Sequence, residues 1–241
     1  MEEHQIQYSS KTIQYVLEYK SVKNINISVK PDQTVYVSAP KDAVFERIES
    51  YLQNRAKWII AQQAKFKATK KIEKTVKEYV SGESIKYLGK QYILKVIENH
   101  AAEYVSIDDN HITLNTKKKN DIYRKQRLIQ EWLRKQAYAN FDSAIKKIYM
   151  LILNMITHEP DFEVKRMAKR WGSCLRKKNM ILLNSELIKA PMHCIEYVVL
   201  HEMLHFQYKG HTKEFYNKLT ILMPDWKYRK EILDEEIVLF I

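Results

Sequence analysis

His201-Glu202-Met203-Leu204-His205 sets two imidazoles four residues apart with a carboxylate between them, and His211 follows six residues after the second histidine. Side chains four apart on a helix project from one face, one turn above each other. His201 and His205 can therefore share one metal ion, with Glu202 beside its open coordination position. A third ligand from beyond the helix, His211, leaves one position for water, the layout of catalytic rather than structural zinc. Such a set can hydrolyse, pairing metal-activated water with a carboxylate base. The chain has eight histidines in 241 residues, so a chance H-E-x-x-H has a probability of roughly 2%, and the added histidine lowers this to under about one in a thousand. The bland alternative is an amphipathic core helix with a few hydrogen-bonded histidines, and it needs that coincidence. Glu214, one helical turn after His211, is the rival third ligand; its other role would be a hydrogen bond that orients a ligand.

The elements that must position these residues follow from periodicity. Pro191 suits the first turn of a helix running through Tyr197, Val198, Val199 and Leu200 into the histidine motif. That helix is apolar nearly all round, which makes it central and buried. Gly210 falls where the chain must turn back toward the ion. A short helix from Thr212 to Leu222 follows, and Pro224 starts a last one. Upstream, Phe162 to Cys174 and Met180 to Leu187 read as two strands joined across Arg176-Lys177-Lys178-Asn179. One long helix, or two in sequence, is expected from Asp121 to about Ile156, ended by Pro160. Ser84 to Leu88, Gln91 to Ile97, Tyr104 to Ile107 and Ile112 to Leu114 read as strands. Nearer the start, Ile25, Ile27 and Val29 form a hairpin with Thr34 to Val37, and Val44, Ile48, Leu52 and Ala56 recur at helical spacing. The lysine-rich stretch from Lys65 to Lys77 continues as a polar helix or linker. The expected organisation is a β-rich N-terminal module with a helix over 1–115 and an α+β catalytic module over 116–241, or one continuous domain.

Lys and Arg exceed Asp and Glu by 41 to 29, a formal charge of +12. Two basic concentrations stand out. Lys117-Lys118-Lys119 is followed by Arg124, Lys125 and Arg127, and Lys165 to Lys178 holds seven basic residues and no acid. Each reads either as a solvated face or as a surface for an anionic partner such as nucleic acid. Two cysteines, Cys174 and Cys194, are too few for a disulfide framework and suit a reducing compartment. No secretory signal opens the chain, and the apolar run from Ile148 to Ile156 is too short to cross a bilayer. The expectation by elimination is a cytoplasmic protein without a membrane span.

Arg170-Trp171-Gly172-Ser173-Cys174, Leu183-Asn184, the stretch from Tyr197 to His205, His211 and Met223-Pro224-Asp225-Trp226 together resemble the YgjP-like metallopeptidase domain family, itself similar to the SprT-like and WLM zinc proteases. Val35 to Pro40 and Lys57-Trp58-Ile59 resemble its N-terminal part. The resemblance implies a zincin-like α+β fold: a mixed sheet with an active-site helix beneath its substrate-facing edge strand, preceded by the β-rich module. It implies one Zn2+ per chain held by His201, His205 and His211, with Glu202 as the catalytic base and a protein or peptide as substrate. The spacing of the three histidines equals that of metzincins, but their glycine is here Tyr208, and Met223 need not be a Met-turn. Tyr208, Tyr216, Tyr228 and Arg170 are unranked candidates for a second oxyanion donor. Trp171 and Cys174 read first as core residues. Three functional readings stand: a zinc metallopeptidase, a protease acting on proteins bound to nucleic acid, and a non-catalytic zinc-stabilised binding module. The intact Glu202 speaks against the third. Substrate and oligomeric state are not written in the sequence.

Overall fold

Strict alternation builds the first sheet. In β2 (Lys11–Lys20), Ile13, Tyr15 and Leu17 point inward, and in β4 (Val35–Pro40), Val35, Val37 and Ala39 do the same; a period of two puts each set on one face. β1 (Glu2–Tyr8) pairs antiparallel with β2, β2 pairs parallel with β4, and β3 (Asn26–Val29) pairs antiparallel with β4. Helix α1 (Phe45–Lys70) contributes Ile48, Leu52, Ala56 and Ile59 to the same core. Spaced by four, four and three residues, they form one stripe. This computed structural model describes residues 2–9, 11–30, 32–70 and 77–236. The chain divides into two compact units, Met1–Val76 and Lys77–Ile241, and the sheet with α1 is the first.

The second unit holds two further mixed sheets. One has the order β5 (Ser84–Tyr87), β6 (Lys90–Glu98), β8 (His111–Thr116), β7 (Tyr104–Ile107), with β6 and β8 parallel. The other has β11 (Met180–Asn184) between β10 (Gly172–Leu175), antiparallel to it, and β9 (Asp161–Lys165), parallel to it. Helix α2 (Ile122–Leu151) is capped by Asp121, whose carboxylate accepts the Arg124 N–H at 2.9 Å, as an N-cap should. Helices α3 (Met192–Leu204), α4 (Lys213–Leu222) and α5 (Trp226–Glu236) complete the unit. Ile85, Leu94, Ile112 and Leu114 from one sheet and Ile181 and Leu183 from the other join Phe141, Ile145, Val199 and Leu200 of α2 and α3 in one core. The fold is α+β.

Several boundaries differ from the sequence reading. Strands 84–116 bury their side chains in the core that also holds α2 and α3, so a division near residue 115 runs through a shared core, while the compact units part at 76 and 77. The stretch Phe162 to Cys174 is two strands on opposite edges of β11, separated by the loop 166–171. β1 and β2 were not foreseen. α2 is one helix and stops at Leu151, well before Pro160. α1 runs on through Lys70, and the rest of the lysine-rich stretch, 71–76, lies outside the described residues. No helix among the described residues is long and apolar enough to cross a membrane.

Glu103 ties the first turn of α2 to the sheet beside it. Its carboxylate accepts from Thr116 Oγ1 at 3.1 Å, Lys117 N at 3.0 Å and Arg124 Nε at 3.0 Å, and pairs with Arg124 Nη2. The Arg124 hydrogen bonds first, and the Lys117 N–H second, bring its carboxyl down from 4.5 to about 2. A carboxyl held lower in the folded chain stabilises it above its ordinary value and stops doing so as pH falls through the folded one. Glu103→Gln should therefore lower the Tm at pH 7, and the gap to the parent should shrink steadily between about pH 4.5 and pH 2 in thermal melts. A gap independent of pH would show that the carboxylate charge is not what ties α2 down.

Candidate metal centre

The helix that carries the histidine motif is fixed at its start by the first sheet of its unit. The β5–β6 turn donates Leu88 N–H to Ile188 O at 2.9 Å and Gly89 N–H to Lys189 O at 3.0 Å. These carbonyls lie just before Pro191, the N-cap of α3. Gly89 has φ +82°, and a Cβ there would lie 2.7 Å from Pro191 Cγ. Only glycine meets both demands without strain. Along α3, residues 194 to 200 and 202 to 204 are all buried. Its one acid on the side of the neighbouring helices, Glu196, is met by Lys147 of α2 at 2.6 Å and Arg229 of α5 at 3.5 Å.

At the far end of α3 three imidazoles converge. One nitrogen from each of His201, His205 and His211 lies within 4.8 Å of the others. His205 is the C-cap and keeps helical geometry, so it still stands one turn from His201. Its Nδ1 lies 3.1 Å from Tyr208 O, which makes Nδ1 the protonated nitrogen and leaves the lone pair on Nε2. His201 Nε2 lies 2.8 Å from His211 Nε2, and His201 Nδ1 is buried without a partner. Burial, and then His211 and His205, push His201 down to about 3, and burial with His205 lowers His211 as well. Both are therefore neutral near pH 7, with lone pairs available. Phe215 of α4 lies with its ring centroid 5.0 Å from each of the three imidazoles and stacks on His205. Tyr216 stacks on His211 and on Trp226, walling the outer side. Three imidazole nitrogen donors in one cluster fit a borderline divalent ion such as zinc.

Glu202 faces the edge strand β10. A Cβ on Gly172 would fall 2.5 Å from Glu202 Cγ and 2.7 Å from Oε1, so the strand's backbone itself forms the wall against which the carboxylate rests. Burial pushes Glu202 up to about 7, while the Arg170 guanidinium and the Cys174 backbone N–H act to lower it. The loop leading into β10 is held by Asn184, which is fully buried. Its Nδ2 donates to Met167 O at 2.8 Å and Arg170 O at 2.9 Å, and its Oδ1 accepts from Glu186 N at 3.1 Å. One side chain at the end of β11 thus sets the height of Arg170 and Gly172 over α3.

These groups line a cleft of about 510 Å³. Arg170, Trp171, Gly172, Ser173 and Cys174 form one side, and Tyr197, His201, Glu202, His205 and His211 form the floor and other side. All four residues expected at the site are therefore brought together. Of the four candidate second donors, Arg170 lines the cleft; Tyr208, Tyr216 and Tyr228 do not. Tyr208 contributes its carbonyl to His205 instead. Cys174, read first as core, is half-buried in the cleft wall, its thiol pushed up to about 11 by burial and then by Glu202. Glu214 is exposed and outside the imidazole cluster, and its carboxylate accepts a hydrogen bond from Thr212. The sequence reading gave no role to Tyr197, Phe215 or Asn184. Phe215 had a signal, four residues after His211 on an amphipathic helix. Asn184 stood in the family-like pair Leu183-Asn184, polar at the end of an apolar strand, with no contact to assign it.

A family model described as YgjP-like, metallopeptidase domain, matches residues 23–236. A search of curated proteins returns no match. Among solved structures, the chain is similar to the metallopeptidase zymogen of Methanocaldococcus jannaschii jannalysin, at 20% identity and a TM-score of 0.37, over 41% of this chain and 91% of that one.

Gly172→Ala tests the packing of the carboxylate on β10. The added methyl must displace Glu202, and a shift of about 1 Å at a reacting group costs on the order of 10²-fold in rate. The expected result is that loss in peptide hydrolysis with unchanged metal content, because the imidazole cluster is untouched. Hydrolysis at the parent rate would mean that this wall does not set the position of Glu202.

Proposed function

The chain belongs to the YgjP-like metallopeptidase family, and from that premise we propose a zinc-dependent peptidase in which His201, His205 and His211 hold the ion and Glu202 is the general base. The observation that carries this reading is the convergence of three imidazoles within 4.8 Å, next to the buried carboxylate of Glu202, which follows His201 directly. A structural site would close its coordination with a fourth protein ligand. Among the described residues the cluster has three members, and the next group beside it is a carboxylate suited to proton transfer.

Zinc bound there supplies Lewis acidity, which brings water into its ionising range near pH 7 and draws electron density from the scissile carbonyl. The residues do the rest. Glu202 takes the proton of the attacking water and returns it to the departing amine, and a carboxyl lifted to about 7 is matched to both tasks. Gly172 and the Cys174 N–H fix where that carboxylate sits. β10 is the edge of its sheet, so an extended peptide can add to it as a further strand, its backbone paired with 172–175 and its scissile bond over the imidazoles. Arg170, at the cleft wall, is the cation placed to meet the carbonyl oxygen as it gains charge.

The purified protein should contain close to one zinc per chain, and His201→Ala with His205→Ala should empty the site. Full zinc affinity in His211→Ala, combined with its loss in Glu214→Ala, would transfer the third ligand to the carboxylate. Elemental analysis of the parent and these variants decides between them.

Glu202→Gln should keep zinc and fold while hydrolysis of a peptide library falls by about 10²–10⁴. Digestion at the parent rate by the glutamine variant would remove Glu202 from the base role.

A further inference from the structure

Of the seven basic residues from Lys165 to Lys178, six are exposed and Arg176 alone is withdrawn from solvent. Lys177 and Lys178 are exposed at the tip between β10 and β11, where the chain forms a 3-10 turn over Arg176–Lys178. Arg176 is drawn back into the wall of the cleft. Its Nη2 is buried and has no hydrogen-bond partner, and Arg176 forms no ion pair among the described residues. Guanidinium stays charged at any working pH and has only donors to offer. A buried donor without an acceptor is rare in a folded chain and asks for an explanation.

Among the described residues the cleft offers no acid that pairs with it. Asp234 is paired with Lys230, and Glu202 accepts from the Cys174 N–H. Arg170, Arg176, Lys209 and Lys230 outnumber these two carboxylates around the cavity. Arg176 lines the cleft, so an anion brought from outside can reach its guanidinium from the cavity, and a guanidinium fork matches a carboxylate best as a planar, two-oxygen acceptor.

We propose that Arg176 is a specificity-determining residue that receives a carboxylate of the substrate peptide, an inference that rests on the cleft being a peptidase site. Arg176 opens the 3-10 turn after β10, two residues beyond Cys174, whose N–H meets Glu202, and two residues of chain span at most about 7 Å. The carboxylate recognised is therefore within two or three residues of the scissile bond. If the peptide pairs antiparallel with β10, its amino-terminal side passes Arg176, and the carboxylate is that of an Asp or Glu side chain. If it pairs parallel, a free C-terminus can supply the same group. Lys177 and Lys178 take no part.

The test uses the full chain with its zinc and a library-derived peptide in which Gln replaces any acid. Glu is placed in turn at each of three positions on either side of the cleaved bond, and every peptide is made as C-terminal acid and amide. At one position Glu should raise kcat/KM at least about tenfold over Gln, chiefly through KM, as a charge-assisted pair formed on binding does. In Arg176→Gln the Glu-to-Gln ratio should collapse to about one, and in Lys177→Gln with Lys178→Gln it should persist. A preference for acid over amide, lost in the same variant, assigns the site to the C-terminal carboxylate. Peptide binding to zinc-loaded Glu202→Gln, read by fluorescence anisotropy, gives the same ratios without turnover. Cleavage of neutral peptides with no carboxylate preference overturns the role of Arg176 and leaves the peptidase reading standing. Carboxylate-selective binding without cleavage by the parent overturns the peptidase reading and keeps the subsite. A preference unchanged in Arg176→Gln also overturns the inference.

Discussion

Helix α3 has almost no solvent face, yet it carries two acids and two histidines along its buried length. Water cannot satisfy these groups, so each must find a partner in the fold or cost several kcal/mol. Glu196 is met by Lys147 and Arg229. His205 is met by the Tyr208 carbonyl, which decides its tautomer. Glu202 rests on the backbone of β10 with the Cys174 N–H and Arg170 at hand. After those partners are assigned, the inward nitrogens of three imidazoles remain, grouped on each other. The imidazole cluster is part of what is left over once those partners are assigned; His193 Nε2, near the start of the helix, is also buried without a partner among the described residues.

Two sheets act on α3 from different directions. The β5–β6 turn fixes its start through Gly89 and the carbonyls before Pro191, while β10 closes over its last turn. Between them, packing of Val198, Val199 and Leu200 in the shared core leaves little freedom. The edge strand is held in turn by Asn184, whose side chain spans the loop between β9 and β10. The orientation of Glu202 thus depends on a backbone wall whose own position is set by one buried amide. Phe215 does the corresponding work for the imidazoles, with a flat apolar surface that offers no competing hydrogen bond.

Much of this was legible where local pattern and local structure coincide. The histidine spacing, the apolar helix around it, strands β5 to β8 and the helix starts near Asp121 and Thr212 follow from periodicity and local pattern. β1 was hidden because it buries only Ile6, whereas β2 carried a usable signal in Ile13, Tyr15 and Leu17. The break between β9 and β10 depends on Asn184 reaching back from the far end of β11, a contact of long sequence separation that no local window contains. Composition registered the run from Lys165 to Lys178 as charge alone. Which of its members turn inward is decided by the pleat of β10 and the 3-10 turn after it, and those exist only once the sheet has formed.

The double anchoring of α3 makes chain length a geometric variable. Each residue of an α-helix turns it by about 100° and advances it by about 1.5 Å. With Pro191 held by the β5–β6 turn, one inserted residue before His201 would swing the histidines toward the core and carry Glu202 off β10. Two inserted residues would point the motif to nearly the opposite side. Exchanging one buried aliphatic for another of similar volume disturbs the same segment far less. For the stretch from Pro191 to His205, residue count is angular register, and a single insertion or deletion there separates the imidazoles from the strand they face.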